Sequence, residues 1–204
     1  STAPLSHNSV FFGFGKDVNA AKRVLTNTWI SLQQGWHMHV NQDAIQPRST
    51  AALQWSAPVG RSYTEHLASK QKTDVLVTAI VSTYNSEYFL AGCLQDLVEQ
   101  SLFQDNKLEI IIIDSQSTEN EQAIAMEYLN RYPNIRYVRT PHREGVYLAW
   151  NRGIQLARGR YITNANTDDR HHPNALAVMA KTLDDRPNIG LVYGQCYTIL
   201  HDAK

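Results

Sequence analysis

The segment Asn164-Ala165-Asn166-Thr167-Asp168-Asp169 leaves an apolar stretch and ends in two adjacent carboxylates. Hard cations such as Mg²⁺ and Mn²⁺ select oxygen donors, and are often held by one or two carboxylates together with a diphosphate. A divalent ion at these carboxylates would neutralise a departing diphosphate. The same residues also read as an acidic turn before a helix, with Asp169 favouring the helix N-terminus. His171 and His172 follow at once, either to add a ligand or touch phosphate, or simply to face water. Upstream, Thr83-Tyr84-Asn85-Ser86 offers a ring that can stack on a base. Alternatively, Asn85 or Ser86 caps a helix and Tyr84 is only half-buried. A third polar stretch is Asp114-Ser115-Gln116-Ser117-Thr118. An Asp that ends a strand accepts hydrogen bonds from a ribose hydroxyl or a base N–H, or else ties down its own turn.

The elements that must position these residues alternate. Val75 to Ser82 reads as a buried strand, and Ser86 to Gln100 as a helix with Phe89, Leu90, Cys93, Leu94 and Leu97 on one face. Leu108 to Asp114 is a second strand, and Thr118 to Tyr132 a helix opened by the capping-box pattern Thr118-x-x-Glu121. Strands over Ile135 to Arg139 and Tyr161 to Ala165, helices over Gly145 to Ala157 and Pro173 to Leu183, and a last strand over Ile189 to Ile199 complete the series. Unbroken aliphatic strands separated by helices predict an α/β fold, a mostly parallel sheet with helices on both faces. Such sheets bind ligands outside the carboxyl ends of their strands. The polar stretches above all fall there, as does the loop Thr140 to Glu144 that carries Arg143.

Residues 1–74 have a different texture. Val18 to Gln34 is the one good helix candidate, and residues 41 to 73 read as a loop-rich linker with at most a short helix. Trp29, Trp36 and Trp55 concentrate in this part, as an interface or buried against the domain. The expected organisation is a helical or irregular N-terminal segment over 1–74 and a domain over 75–204. The front segment holds seven basic and four acidic residues, the rest twelve and fifteen, so the 204-residue chain balances at 19 of each. A neutral chain lacks the basic surplus that a nucleic-acid binder needs for phosphates. The run Ile110–Ile113 is far shorter than the roughly 20 apolar residues of a membrane span. Cys93 and Cys196 sit in apolar stretches without C-x-x-C spacing; they read as buried free thiols, which suits a reducing, cytoplasmic setting. No G-x-G-x-x-G, P-loop or Gly-x-Ser-x-Gly pattern follows a strand, which sets aside dinucleotide binding, P-loop phosphate gripping and serine-hydrolase chemistry.

Four segments together resemble glycosyltransferase family 2, the GT-A nucleotide-sugar transferases with a Rossmann-like sheet. VTAIVSTYNSEYFLAGCLQDLVEQS (77–101) is similar to the family's opening strand, Thr-Tyr-Asn turn and first helix. LEIIIIDSQSTEN (108–120) is similar to its strand ending in Asp-Asp-Gly-Ser-Thr. REGVYLAWNRGIQLARGRYI (143–162) resembles the Gly…Ala-x-Asn-x-Gly…Ala-x-Gly-x-Tyr-Ile stretch, and NANTDDRHHP (164–173) the Asp-x-Asp-Asp loop and the Pro that starts the next helix. The resemblance implies that Ser82, Thr83 and Tyr84 line a base pocket, that Asp114 and Ser115 sit near base and ribose, and that Arg143 contacts the nucleotide. It further implies that Asp168 meets metal and diphosphate, with Asn166 as a second ligand, and that Asp169 faces the donor sugar. A nucleoside-diphosphate sugar (a UDP-sugar by preference), a Mg²⁺ or Mn²⁺ ion and a glycan or other hydroxyl acceptor are the implied partners, in an inverting transfer.

Departures qualify what is carried over. Ser115 stands where the family has a second Asp, so the acceptor for a uracil N–H is a hydroxyl, weaker than a carboxylate. Asn166 replaces the first Asp of Asp-x-Asp and brings an oxygen without a charge. The family's later region, with its catalytic carboxylate base, has no counterpart before Lys204. The chain is therefore expected to be part of a longer enzyme, unless residues 1–74 supply the missing half. The alternative is a non-catalytic nucleotide-binding or assembly module that keeps the fold.

Overall fold

The computed structural model of the protein describes residues 10–12, 63–67 and 74–194. The candidate helix at 18–34, the three front tryptophans and Cys196 lie outside the described residues, as does the last strand beyond residue 194.

The centre is a five-stranded sheet in the order β2-β5-β4-β3-β6. Its strands are β2 (Thr64–Leu67), β3 (Val77–Thr83), β4 (Leu108–Asp114), β5 (Ile135–Arg139) and β6 (Tyr161–Asn164). β6, β3, β4 and β5 run parallel, and β2 pairs antiparallel with β5, His66 opposite Tyr137. The helices are α1 (Glu87–Val98), the single turn α2 (Ser101–Gln104), α3 (Glu121–Arg131), α4 (Val146–Leu156) and α5 (Ala175–Asp185). A separate antiparallel ribbon joins β1 (Val10–Phe12) to β7 (Leu191–Tyr193).

β4 explains the layering. All seven of its residues are buried, and its side chains alternate between two cores because successive strand residues face opposite ways. Ile110 and Ile112 join Leu90, Cys93, Leu94, Leu97, Ala125, Leu129, Leu176 and Ala180, which are carried by α1, α3 and α5. Ile111 and Ile113 join Ile80, Val138, Ala149, Trp150 and Ile154 on the α4 side. Full burial of such side chains contributes about 1.5–3 kcal/mol each. α4 comes close to β3 because residue 153 is glycine: a Cβ there would lie 2.5 Å from Ile80 Cγ2.

Three readings change. Residues 64–67, read as linker, form an edge strand; Glu65 and His66 give no apolar alternation, and the strand is defined by pairing with β5 and by Glu65 binding the buried Arg136. The capping box does not form: α3 starts at Glu121 after Asn120, and the Glu121 carboxylate turns away to accept the Ser86 backbone N–H. β7 stands outside the main sheet and pairs with β1. No helix among the described residues is long and apolar enough to cross a membrane.

Candidate functional site

β3, β4 and β5 end level with one another and β6 ends opposite Ile80, three residues short of the end of β3, so that the polar loops all leave the same end of the sheet. Thr83 lies opposite Asp114, Asp114 opposite Arg139, and Ile80 opposite Asn164. The main chain continues the ladder past the strands: the Ser115 N–H donates to the Thr83 carbonyl at 3.0 Å, the Thr140 N–H to the Asp114 carbonyl at 2.9 Å, and the Ala165 N–H to the Ile80 carbonyl at 2.8 Å. Four loops are thus fixed side by side along one rim.

The β3 loop presents Tyr84, exposed, with the Arg143 guanidinium over its ring at 4.2 Å from the centroid. The two residues come from different loops, so the fold brings together an aromatic face and a cation that the sequence separates by 59 positions. Ser82 is half-buried and its hydroxyl accepts the Trp150 indole N–H at 3.2 Å. Thr83 is buried and its hydroxyl pairs with that of Ser86 at 2.7 Å.

Asp114 is fully buried. Its carboxylate accepts the Ser117 N–H at 2.7 Å, the Arg139 guanidinium at 2.6 Å and the Tyr137 hydroxyl. Three internal donors make it the tie of its own turn, the second of the two readings the sequence left open. Burial, then the hydrogen bond to Asp114, pushes the Tyr137 phenol well above its ordinary range, so Tyr137 stays a proton donor to this carboxylate. Arg139 also donates to the Ser117 carbonyl at 2.6 Å. Ser115 is almost wholly buried beside it.

The β6 loop carries the acid pair. Asp168 is exposed and Asp169 half-buried. The Asn166 amide nitrogen donates to Asp169 at 3.0 Å, so its carbonyl oxygen is the atom that could ligate a cation. Asn164 Oδ1, two residues earlier at the end of β6, is buried without a hydrogen-bond partner among the described residues. Among those residues no group of three or more His, Cys, Asp or Glu is arranged to hold a metal. The donor set therefore fits a hard divalent cation that takes the rest of its shell from a diphosphate and water, and not an all-protein cage. His172 is exposed; the half-buried His171 is held below the ordinary histidine range, chiefly by burial.

Several contributing residues went unread in the sequence. Arg139 and Tyr137 hold Asp114, and Glu121 holds the Ser86 amide. Asp96 on α1 and Gln100 just beyond its end reach the 170–176 stretch. Only Glu121 sits in a local pattern, the capping box, and its partner there was read differently. The one other sequence signal was polarity on an otherwise apolar helix face. Gln116, at the position of the glycine in Asp-Asp-Gly-Ser-Thr, has φ 60°, and Asn85 in the facing loop has φ 47°. Both are left-handed conformations unusual for non-glycine residues.

A parallel sheet with helices on both faces, whose rim gathers an aromatic ring, a cation and an acidic loop, is the architecture of the GT-A nucleotide-sugar transferases. The model of the family described as Glycosyl transferase family 2 matches residues 78–202, and the chain belongs to that family. A relative named "Uncharacterized glycosyltransferase YibD", from Escherichia coli (strain K12), is 33% identical over 110 residues, 53% of this chain and 31% of the relative. S. aureus TarS 1-349 in a crystal structure with UDP shares the fold at 24% identity and a TM-score of 0.52, covering 55% of this chain and 33% of that one. The mannosyltransferase PcManGT from Pyrobaculum calidifontis, in complex with GDP-Man and Mn²⁺, is 27% identical with a TM-score of 0.50, covering 54% of this chain and 32% of that one. The chain spans about a third of the length of these relatives.

Proposed function

We propose that the chain is the donor-binding part of an inverting glycosyltransferase, which takes a nucleoside-diphosphate sugar and a divalent cation and passes the sugar to an acceptor hydroxyl. The observation that carries this reading is the pairing of Tyr84 with Arg143 on the same rim as Asp168 and Asp169. An aromatic face suits a base and a guanidinium suits phosphate oxygens. The exposed Asp168 carboxylate is an oxygen donor of the kind that would hold a hard divalent cation. The relative in complex with GDP-Man and Mn²⁺ supports both the ligand class and the metal.

In this reading Tyr84 stacks on the base, Ser82 and Thr83 close the pocket behind it, and Ser115 offers a hydroxyl to the base edge. Asp114 works one step back, because its oxygens are engaged by Ser117, Tyr137 and Arg139. Arg143 lies against the diphosphate side of Tyr84. Asp168 and Asn166 would hold the cation, and Asp169 would face the donor sugar. A bound Mg²⁺ or Mn²⁺ would stabilise the charge that develops on the leaving diphosphate. The acceptor hydroxyl loses its proton to a carboxylate base, a role assigned to none of the described residues. Ser115 and the Asn166 amide, which each remove a charge, favour the second reading, a module that binds nucleotide without transfer.

Thermal unfolding with UDP or GDP and Mn²⁺ tests the binding claim. At a hundredfold excess over Kd the native state gains about 2.7 kcal/mol, a rise in Tm of roughly 5–10 °C at this chain length. Asp168→Ala should abolish the metal-dependent share of that rise. No shift for either nucleotide at millimolar concentration would remove the reading.

A further inference from the structure

The acid pair sits on a loop, and a loop does not hold two carboxylates in place by itself. The stretch that follows it, Arg170–His172, is instead gripped by α1 and by the residue at the junction of α1 and α2. Asp96, buried on that helix, accepts Arg170 through both oxygens, Nε to Oδ2 at 2.6 Å and Nη2 to Oδ1 at 2.7 Å. Its Oδ2 also accepts the His171 backbone N–H at 2.9 Å. One turn earlier on α1 is Gly92, where a Cβ would lie 3.5 Å from Arg170 Nη1, so the guanidinium rests against the helix backbone. Two residues beyond the end of α1 is Gln100, fully buried, which donates to the His172 carbonyl at 2.8 Å and accepts the Leu176 N–H at 3.2 Å. Gly92 and Asp96, four residues apart, share one face of α1, and Gln100 continues their contacts from the junction with α2. Asp96 and Gln100 together hold the main chain at His171, His172 and Leu176.

Resting on the donor-binding reading above, we propose that Asp96 is a positioning residue for the metal-binding loop. Its fork to Arg170 and its bond to the His171 amide set the backbone immediately after Asp168 and Asp169, so that Asp168 is presented to the cation and diphosphate, and Asp169 to the donor sugar, without a search. A planar guanidinium held at both nitrogens fixes direction as well as distance, which an ammonium cannot do. Arg170 is itself 63% exposed in its side chain. An ion pair with so exposed a partner contributes little to global stability, which separates positioning from mere scaffolding.

The test uses the full 204-residue chain and the variants Asp96→Asn and Arg170→Lys. UDP affinity is measured by calorimetry with and without Mn²⁺, with GDP in a parallel series. Both variants should keep the metal-free affinity and a Tm within a few degrees of the wild type, and lose about tenfold of the gain that Mn²⁺ confers. If both retain the full Mn²⁺ gain, the proposal is overturned. If the wild type itself shows no Mn²⁺ gain, the donor-binding reading fails, and backbone hydrogen exchange then decides the clamp separately. Amides 167–171 exchange at least tenfold faster in Asp96→Asn if the clamp exists, and at the wild-type rate if it does not.

Discussion

At Gln116 a side chain occupies a left-handed backbone position, φ 60°, beside the buried Ser115 and Ser117. That conformation costs a non-glycine residue about 1–2 kcal/mol, while glycine adds roughly 0.5–1 kcal/mol of unfolded-state entropy. Gln116→Gly should therefore stabilise the chain by about 0.5 kcal/mol or somewhat more, read as a Tm rise of roughly 1–4 °C. A fall in Tm would mean that the side chain makes a contact worth more than the strain. Cys93 shows how residues of the rim feel one another. Burial, then the nearby carboxylates of Asp96 and Asp169, push its thiol up to about 12. The thiolate form that reacts is thereby suppressed at neutral pH, in keeping with the buried free thiol read from its apolar surroundings.

Among the elements, α4 carries the second core almost alone among the described residues, through Ala149, Trp150 and Ile154. Its approach to β3 depends on Gly153. Alanine there gains about 1 kcal/mol of helix propensity, but its Cβ would stand 2.5 Å from Ile80 Cγ2, and overpacking of this kind costs about 1–3 kcal/mol. Gly153→Ala should lower Tm by several degrees, and an increase would show that α4 can move away from the sheet freely. At the strands' opposite ends, Glu109 is fully buried in mid-sequence of an aliphatic strand. It accepts the Thr78 hydroxyl at 2.6 Å and the Arg158 N–H and guanidinium at 2.6 and 2.7 Å. The α4–β6 turn is thus tied to β3 and β4 at the end remote from the site.

For the molecule as a whole, the question is how the front of the chain relates to the sheet. β2 completes the β5 edge, Glu65 pairs with Arg136, and Arg152 lies over the Tyr63 ring at 5.1 Å while forming a buried ion pair with Glu144. Arg136 is nearly buried, and apart from Glu65 it donates to the Leu156 carbonyl at 2.8 Å. Removing its carboxylate leaves a buried charge part-satisfied, at a cost of about 1.5–3 kcal/mol. Glu65→Ala should therefore lower Tm by roughly 5 °C or more, with Glu65→Gln recovering part of the loss. An unchanged Tm would mean that the sheet stands without its β2 edge.

The elements around residues 77–193 were legible in the sequence because their signals are local. Ile110–Ile113 can only be a strand buried on both faces, and strand–helix alternation leaves the parallel sheet as the economical packing. From that sheet the rim followed, and with it the placing of the loops of Tyr84, Arg143 and the acid pair at the same end of the strands. The partners of buried charges were not legible. Asp96 with Arg170, Glu109 with Arg158, Glu65 with Arg136 and Glu121 with the Ser86 amide join positions 35 to 74 residues apart. Hydrophobic periodicity records which way a residue faces, but not which distant group meets it there. That is decided by the tertiary structure, where each desolvated carboxylate needs a donor within hydrogen-bond reach.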